Sequence, residues 1–339
     1  MKQAVMTAPG AIEYRQVDVP DVAAHEVLIR VRKIGVCGSD IHVFHGLHPY
    51  TSYPVVQGHE VSGEVERVGA GVSAFAAGDR VTFVPQVVCG QCYPCRHGMH
   101  HICDSLKVMG FQTGGAAQEY FAVPESLAVK LPGDMSFNQG ALIEPMAVAV
   151  HALARAGDVA DGRVLVLGAG PIGNLVAQAA RGLGAAAVMI TDISDVRLAK
   201  ARDCGIEAAV NVAHNDLADA VVRHFGADKA DIILECVGVE SAIAGGIAVA
   251  RKGSVLVVVG VYGHKPTVDL GLVQDRELTL RGSLMYQHAD YRTAIDLVVN
   301  GKVVLEPLVT DTFPFERYLD AYHHIEKSAD QTLKVMIEL

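Results

Sequence analysis

The chain has 339 residues, enough for about two domains at roughly 150 residues each, and its balance of 50% hydrophobic and 19% charged residues rules out a disordered or low-complexity protein. Its 28 basic and 38 acidic residues leave a net charge of -10, which disfavours a phosphate backbone and so excludes nucleic acid as the main partner. No apolar run reaches the ~18 residues of a membrane helix, and Met1 to Met6 open no signal-peptide stretch, so the expected address is the cytoplasm, with no membrane partner.

Up to about residue 145 the pattern is one of short strands broken by turns: Val27 to Val31, Glu64 to Val68, and Arg80 to Pro85. Gly and Pro punctuate this region throughout, which predicts an irregular, largely antiparallel β domain. Near Glu144-Pro145 the texture changes. Apolar runs then alternate with Ala-rich helical stretches: strand Val164 to Leu167, helix Ile172 to Leu183, strand Ala187 to Thr191, helix Val196 to Cys204, then strands Ile232 to Glu235 and Val255 to Val259. Such alternation predicts βαβ units and a parallel sheet. An amphipathic helix near Tyr291 to Asn300 and a terminal strand, Leu333 to Ile337, complete the chain.

Gly168-Ala169-Gly170-Pro171-Ile172-Gly173 is a G-x-G-x-x-G that follows an apolar strand and opens a helix, the context that gives this common pattern meaning. Gly168 permits the tight turn, Gly170 lets backbone approach a pyrophosphate, and Gly173 lets helix and strand pack closely. Asp192 ends the second strand nineteen residues after Gly173, where a carboxylate would bond the ribose hydroxyls and repel a 2′-phosphate. NAD is therefore expected over NADP, with Arg197 flanking the adenine side.

Seven cysteines are present, an odd number, and Cys89, Cys92, Cys95 and Cys103 fall within fifteen residues. Clustered thiols on one loop suit a metal better than a disulfide framework. Four thiolates fit a closed, structural zinc site. Iron–sulfur clusters use similar spacing, but nothing nearby suggests an electron-transfer partner. A second set comprises Cys37 and the pair His59-Glu60. Thiolate, imidazole and carboxylate are good zinc ligands, and three of them leave a fourth position open. By spacing alone, a lone Cys and a lone His-Glu pair are more often packing or surface residues.

Gly58-His59-Glu60-x-x-Gly63-x₅-Gly69-x-x-Val72, then Gly78-Asp79-Arg80-Val81, the four-cysteine loop and the glycine loop occur in this order. Together they resemble the zinc-dependent medium-chain alcohol dehydrogenase superfamily over essentially the whole chain. Leu142-Ile143-Glu144-Pro145 followed by His151 is similar to its polyol (sorbitol, xylitol, galactitol) and sugar-acid dehydrogenases. The resemblance implies an α/β chain in which a GroES-like β-rich catalytic domain (1–146 and 287–339) is split around a Rossmann doubly wound coenzyme domain (147–286). It implies two zinc ions per chain, one structural and one catalytic on Cys37, His59 and Glu60, with Glu144 beside the metal as ligand or water partner. Ser39 and His42 resemble the proton-relay pair, and the family usually assembles as homodimers or homotetramers.

The expected activity is NAD-dependent oxidation of a secondary alcohol on a small polyhydroxylated substrate. Two positions depart from the sorbitol enzymes. Their Tyr after the relay His is Val43 here, and their Arg-Tyr pair reads Met285-Tyr286. L-Threonine 3-dehydrogenases share the zinc motifs but usually carry Asp-Pro in place of Glu144-Pro145, which makes them the second expectation. A nucleotide-sensing binding protein on the same fold is the non-enzyme alternative.

Overall fold

In the computed structural model, which describes every residue except Ala329 and Asp330, the chain forms two units. One is Met1–Glu144 with Val309–Leu339, and the other is Pro145–Leu308. The first unit is built on the eleven-residue strand Glu26–Val36, whose β-branched and aliphatic residues Val27, Ile29, Val31, Ile34 and Val36 are all buried. It pairs antiparallel with Glu60–Val68, with Tyr120–Pro124 and with the terminal strand Lys334–Glu338. In this register Gly35 lies opposite Glu60, and Val36 opposite Val335. Arg80–Phe83 and Ala128–Lys130 extend the sheet on one side and Val309–Pro314 on the other, the last in parallel with Lys334–Glu338. The largely antiparallel architecture expected from the turn-rich sequence is thus present.

In the second unit six parallel strands lie in the order Ala208–Asn211, Ala187–Asp192, Arg163–Leu167, Ile232–Glu235, Val255–Val258, Thr279–Gly282. Counted along the chain this is 3-2-1-4-5-6, the doubly wound order of dinucleotide-binding folds. Arg163–Leu167 and Ile232–Glu235 are central and read as near-continuous apolar runs, because helices cover both faces of a parallel sheet. The change of texture at Glu144-Pro145 falls inside one helix, Phe137–Ala156. Pro145 has no N–H to give to the carbonyl of Ala141, so the helix loses a hydrogen bond where one unit ends and the next begins.

The chain returns to the first unit at Val309 rather than at residue 287. The helix His288–Val299 is held by the second unit: Asp290 Oδ2 lies 2.9 Å from His151 Nδ1, and Tyr291 packs edge-on against Tyr286. Beyond it, Val304 N donates to the buried Gln178 Oε1 at 2.7 Å.

Asp231 ties the start of the central strands together, accepting from Arg163 N (2.8 Å), from Arg163 Nε (3.1 Å) and from Arg251. Burial alone would raise its pKa, but the two guanidinium groups and the backbone N–H hold it at about 2, against an ordinary 3.8. A carboxyl more acidic in the folded chain stabilises it fully above about pH 4 and ceases to do so as the pH falls toward about 2. Denaturant titrations of wild type and Asp231→Asn should therefore differ by a constant amount near neutrality, and the gap should close across that acid window.

Candidate active site and metal centres

Cys37 directly follows the strand Glu26–Val36 and is the N-cap of the helix Gly38–Phe44, in a capping box with Asp40. His59 immediately precedes the neighbouring strand, and Glu60 is that strand's first residue. A Cβ on Gly35 would stand 2.2 Å from Glu60 Oε2, so only a glycine there lets the carboxylate lie across the strand. The result is that the Cys37 sulfur, a His59 ring nitrogen and a Glu60 oxygen come within 4.8 Å of one another. His59 and Glu60 are buried, and Cys37 is half-buried.

This donor set fits a zinc ion with three protein ligands and one open position. A second feature agrees. His59 Nδ1 is buried without a hydrogen-bond partner, and Asp40 Oδ1 stands 3.6 Å from it. An imidazole backed by a carboxylate is the usual setting of a metal-binding histidine. Burial opposes the imidazolium form, yet Asp40 and Cys37 together raise the His59 pKa well above 6.5.

Lys334 was not among the residues singled out by sequence. Its Nζ reaches both Glu60 oxygens at 2.6 Å and the Val36 carbonyl at 3.3 Å, with the lysine only 3% exposed. Burial would lower its pKa, but Glu60, Cys37 and the nearby buried Glu144 raise it, so this cation balances the buried carboxylate. A single Lys inside the apolar run Leu333 to Ile337 was the available signal, since a lysine is almost never fully buried without a partner.

Ser39 and His42 stand three residues apart on the helix Gly38–Phe44, on one face. Ser39 is half-buried and His42 exposed. Val43, at the position where the sorbitol enzymes carry Tyr, is fully buried in the core of the unit, and its carbonyl accepts from Tyr53 Oη.

The four thiols of Cys89, Cys92, Cys95 and Cys103 also lie within 4.8 Å of one another. Cys103 Sγ is 3.5 Å from Cys89 Sγ and 3.8 Å from Cys92 Sγ. Backbone N–H groups of Cys92 (3.3 Å, to Cys89), Cys89 (3.3 Å, to Cys103) and Ser105 (3.4 Å, to Cys103) point at the sulfurs. Such donors favour thiolate, and those of Gln91 and Cys92 lower the Cys89 pKa to about 6. The loop fits a closed tetrahedral metal site. These are the two candidate metal-binding groups among the described residues.

In the second unit Gly168 adopts φ +98°, and a Cβ on Gly173 would stand 1.9 Å from the Gly168 carbonyl oxygen. Both positions therefore require glycine. Nothing lies within 4 Å of where a Cβ on Gly170 would be, and Gly170 caps the helix Pro171–Gly182, whose first turn carries Ile172. Asp192 accepts from Ala169 N (2.7 Å), Ile193 N (2.8 Å) and Ser194 N (2.9 Å), with Arg197 Nη1 4.0 Å away. Three backbone donors thus fix the carboxylate against the glycine loop.

Glu235, also unforeseen, ends the fourth strand opposite Leu167. It accepts from Val237 N (2.7 Å), Gly238 N (2.8 Å) and Tyr262 Oη (2.8 Å), setting the loop beside the switch point of the sheet.

Removing the lysine from a buried ion pair strands its partner charge. Lys334→Ala should lower the unfolding free energy of metal-free protein by about 3–5 kcal/mol in urea titrations. Cys103→Ser should remove one metal equivalent by atomic emission and expose the 89–103 loop to limited proteolysis.

The alcohol dehydrogenase GroES-like domain family matches residues 23–133, and the zinc-binding dehydrogenase family matches residues 171–300. The 2-dehydro-3-deoxy-L-galactonate 5-dehydrogenase of Pseudoalteromonas atlantica is 35% identical over 93% of this chain and 92% of its own. Sorbitol dehydrogenase of Homo sapiens is 33% identical over 98% and 94%. Among solved structures, galactitol-1-phosphate dehydrogenase from Escherichia coli superposes with a TM-score of 0.93 at 30% identity, covering 100% of both chains. With identity at this level along nearly its whole length, the protein belongs to the zinc-binding medium-chain alcohol dehydrogenase superfamily, in the polyol and sugar-acid group, and is an oxidoreductase acting on CH–OH donors.

Proposed function

We propose that the chain oxidises a secondary alcohol of a polyol or sugar acid to the ketone, and catalyses the reverse, using zinc and NAD. The observation that carries this reading is the convergence of Cys37, His59 and Glu60, a three-ligand set beside a separate, closed four-thiol set. The substrate class is supported by the relatives, whose names place them on sorbitol and on a deoxygalactonate.

A zinc ion held by Cys37, His59 and Glu60 would supply Lewis acidity, which in such sites lowers the pKa of bound water from about 15.7 to ~7 and would acidify a substrate hydroxyl in the same way. Gly168, Gly170, Ile172, Gly173 and Asp192, with Arg197 on the adenine side, would hold NAD, the hydride acceptor. The Asp192 carboxylate favours ribose hydroxyls there and disfavours a 2′-phosphate.

The chain's own work is to move the proton and to steady the charges. Ser39 Oγ accepts the substrate proton and gives up its own toward His42. The exposed imidazole of His42 then returns it to solvent, so the path runs from a half-buried to a wet position. Glu144, buried near the Glu60–Lys334 pair, orients a water or serves as a further ligand. Lys334 pairs with the Glu60 carboxylate in the interior, and Asp40 keeps the His59 ring turned for ligation. A zinc ion held by Cys89, Cys92, Cys95 and Cys103 would supply stability alone, since all four donors come from the chain. A homodimer or homotetramer is the assembly proposed.

Wild type should carry about two zinc ions per chain and produce NADH, read at ~340 nm, from members of a panel of polyols and sugar acids, with L-threonine as the contrasting substrate. Cys37→Ala and His59→Ala should each lower the zinc content by one and reduce turnover by at least about 10³-fold, while NADH binding by fluorescence titration persists. Near-normal turnover in a folded variant would overturn the assignment.

A further inference from the structure

Behind the ligand His59 the first unit contains a directed hydrogen-bond chain whose members beyond Asp40 have no part in the proposed chemistry. Asp40 is 1% exposed, and its two oxygens have separate tasks. Oδ2 accepts from Cys37 N at 2.9 Å. Oδ1 faces His59 Nδ1 at 3.6 Å and accepts from Gln57 Nε2 at 3.0 Å. Gln57 is itself 2% exposed, and its Oε1 accepts from Tyr322 Oη at 2.7 Å. Tyr322 is completely buried on the helix Tyr318–Lys327, 265 residues further along the chain.

The polarity of this chain has one solution. The Asp40 carboxylate only accepts, so Gln57 must present its NH₂ to it. The amide oxygen then faces Tyr322, whose hydroxyl must donate. Each member is therefore oriented by the next: the tyrosine fixes the amide, the amide fixes the carboxylate, and the carboxylate stands where the His59 N–H needs an acceptor. Gln57 Nε2 also donates to the Asp40 carbonyl at 3.4 Å, so Asp40 sets the sense of the amide and the Tyr322 hydroxyl fixes its far end. Without the tyrosine the amide keeps that sense and loses the contact that holds it in place.

We propose that Gln57 and Tyr322 are positioning residues for the inner metal centre. They aim Asp40 at His59 and so set how firmly the imidazole holds its ion. This rests on the reading of Cys37, His59 and Glu60 as a zinc site. The four-thiol site lies outside the chain of bonds and serves as an internal reference. Both residues act through Asp40 and have no role in contacting substrate or coenzyme.

The test uses the full-length zinc-loaded protein and two near-isosteric substitutions, Gln57→Met and Tyr322→Phe. Zinc transfer to a chromophoric chelator is followed over time and resolved into the two sites. In Gln57→Met the inner zinc should leave about 10-fold faster, in the range known for outer-shell substitutions, while the four-thiol zinc leaves at the wild-type rate. Tyr322→Phe should show a smaller acceleration of the same phase. The double variant should match Gln57→Met alone, because the tyrosine acts only through the glutamine. With Co²⁺ in the inner site, the d–d bands of both variants should shift from those of wild type, a change that a general loss of stability would not produce. Unaltered inner-site release and Co²⁺ spectra in both variants would overturn the proposal, as would additive effects in the double variant. A wild-type chain that binds only the four-thiol zinc would sink the reading of the inner site and this inference with it.

Discussion

A carboxylate removed from water must meet a counter-charge or give up its own charge, and the first unit is organised around that requirement at Glu60. The side chain lies over Gly35, under the ammonium of Lys334 and next to Cys37 and His59. Three strands have to be in register for this to happen. A slip of one residue would turn Glu60 to the opposite face and leave Lys334 buried with no partner, so the ion pair and the sheet enforce each other. Cys37, His59 and Glu60 are thereby held at the ends of paired strands, with Glu60 in the sheet itself.

The second unit reaches rigidity by different means. There the determining contacts are backbone ones: the Gly173 position against the Gly168 carbonyl, three N–H groups on Asp192, and two on Glu235. Carboxylates at the ends of the second and fourth strands each organise a loop on their side of the first. The dipole of the helix Pro171–Gly182 opens between them, in the crevice where doubly wound sheets bind ligands. Around Glu60 the charge is placed by side-chain pairing, and around the glycine loop it is placed chiefly by peptide groups.

The contrast between the two metal sets is chemical as well as geometric. Four sulfurs backed by peptide N–H groups leave nothing for a substrate to do. One sulfur, one imidazole and one carboxylate leave a coordination position to be filled. The inner set is also the one with supports buried behind it, Asp40 for the imidazole and Lys334 for the carboxylate. Such supports are expected where a metal's acidity has to be tuned and are unnecessary where it acts only as a staple.

How much could be read in advance depends on the range over which each feature is encoded. The four-cysteine loop, the glycine loop with its strand and helix, and the alternation of strands and helices are local in sequence, and each appears where the residues placed it. The return of the chain at Val309, the helix crossing Glu144-Pro145, and the pairings made by Lys334, Tyr322 and Glu235 were not legible. Periodicity reports which face of an element is apolar and says nothing of which distant strand will lie beside it. Lys334 and Glu60 are 274 residues apart, and the pairing of both the terminal strand and Glu60–Val68 with Glu26–Val36 joins them. The sequence by itself therefore determined the donor chemistry, the coenzyme turn and the two kinds of domain, because those depend on residue type and short spacing. The tertiary structure alone decided which buried charges and hydrogen bonds stand behind the donors, because strand register brings them together across most of the chain's length.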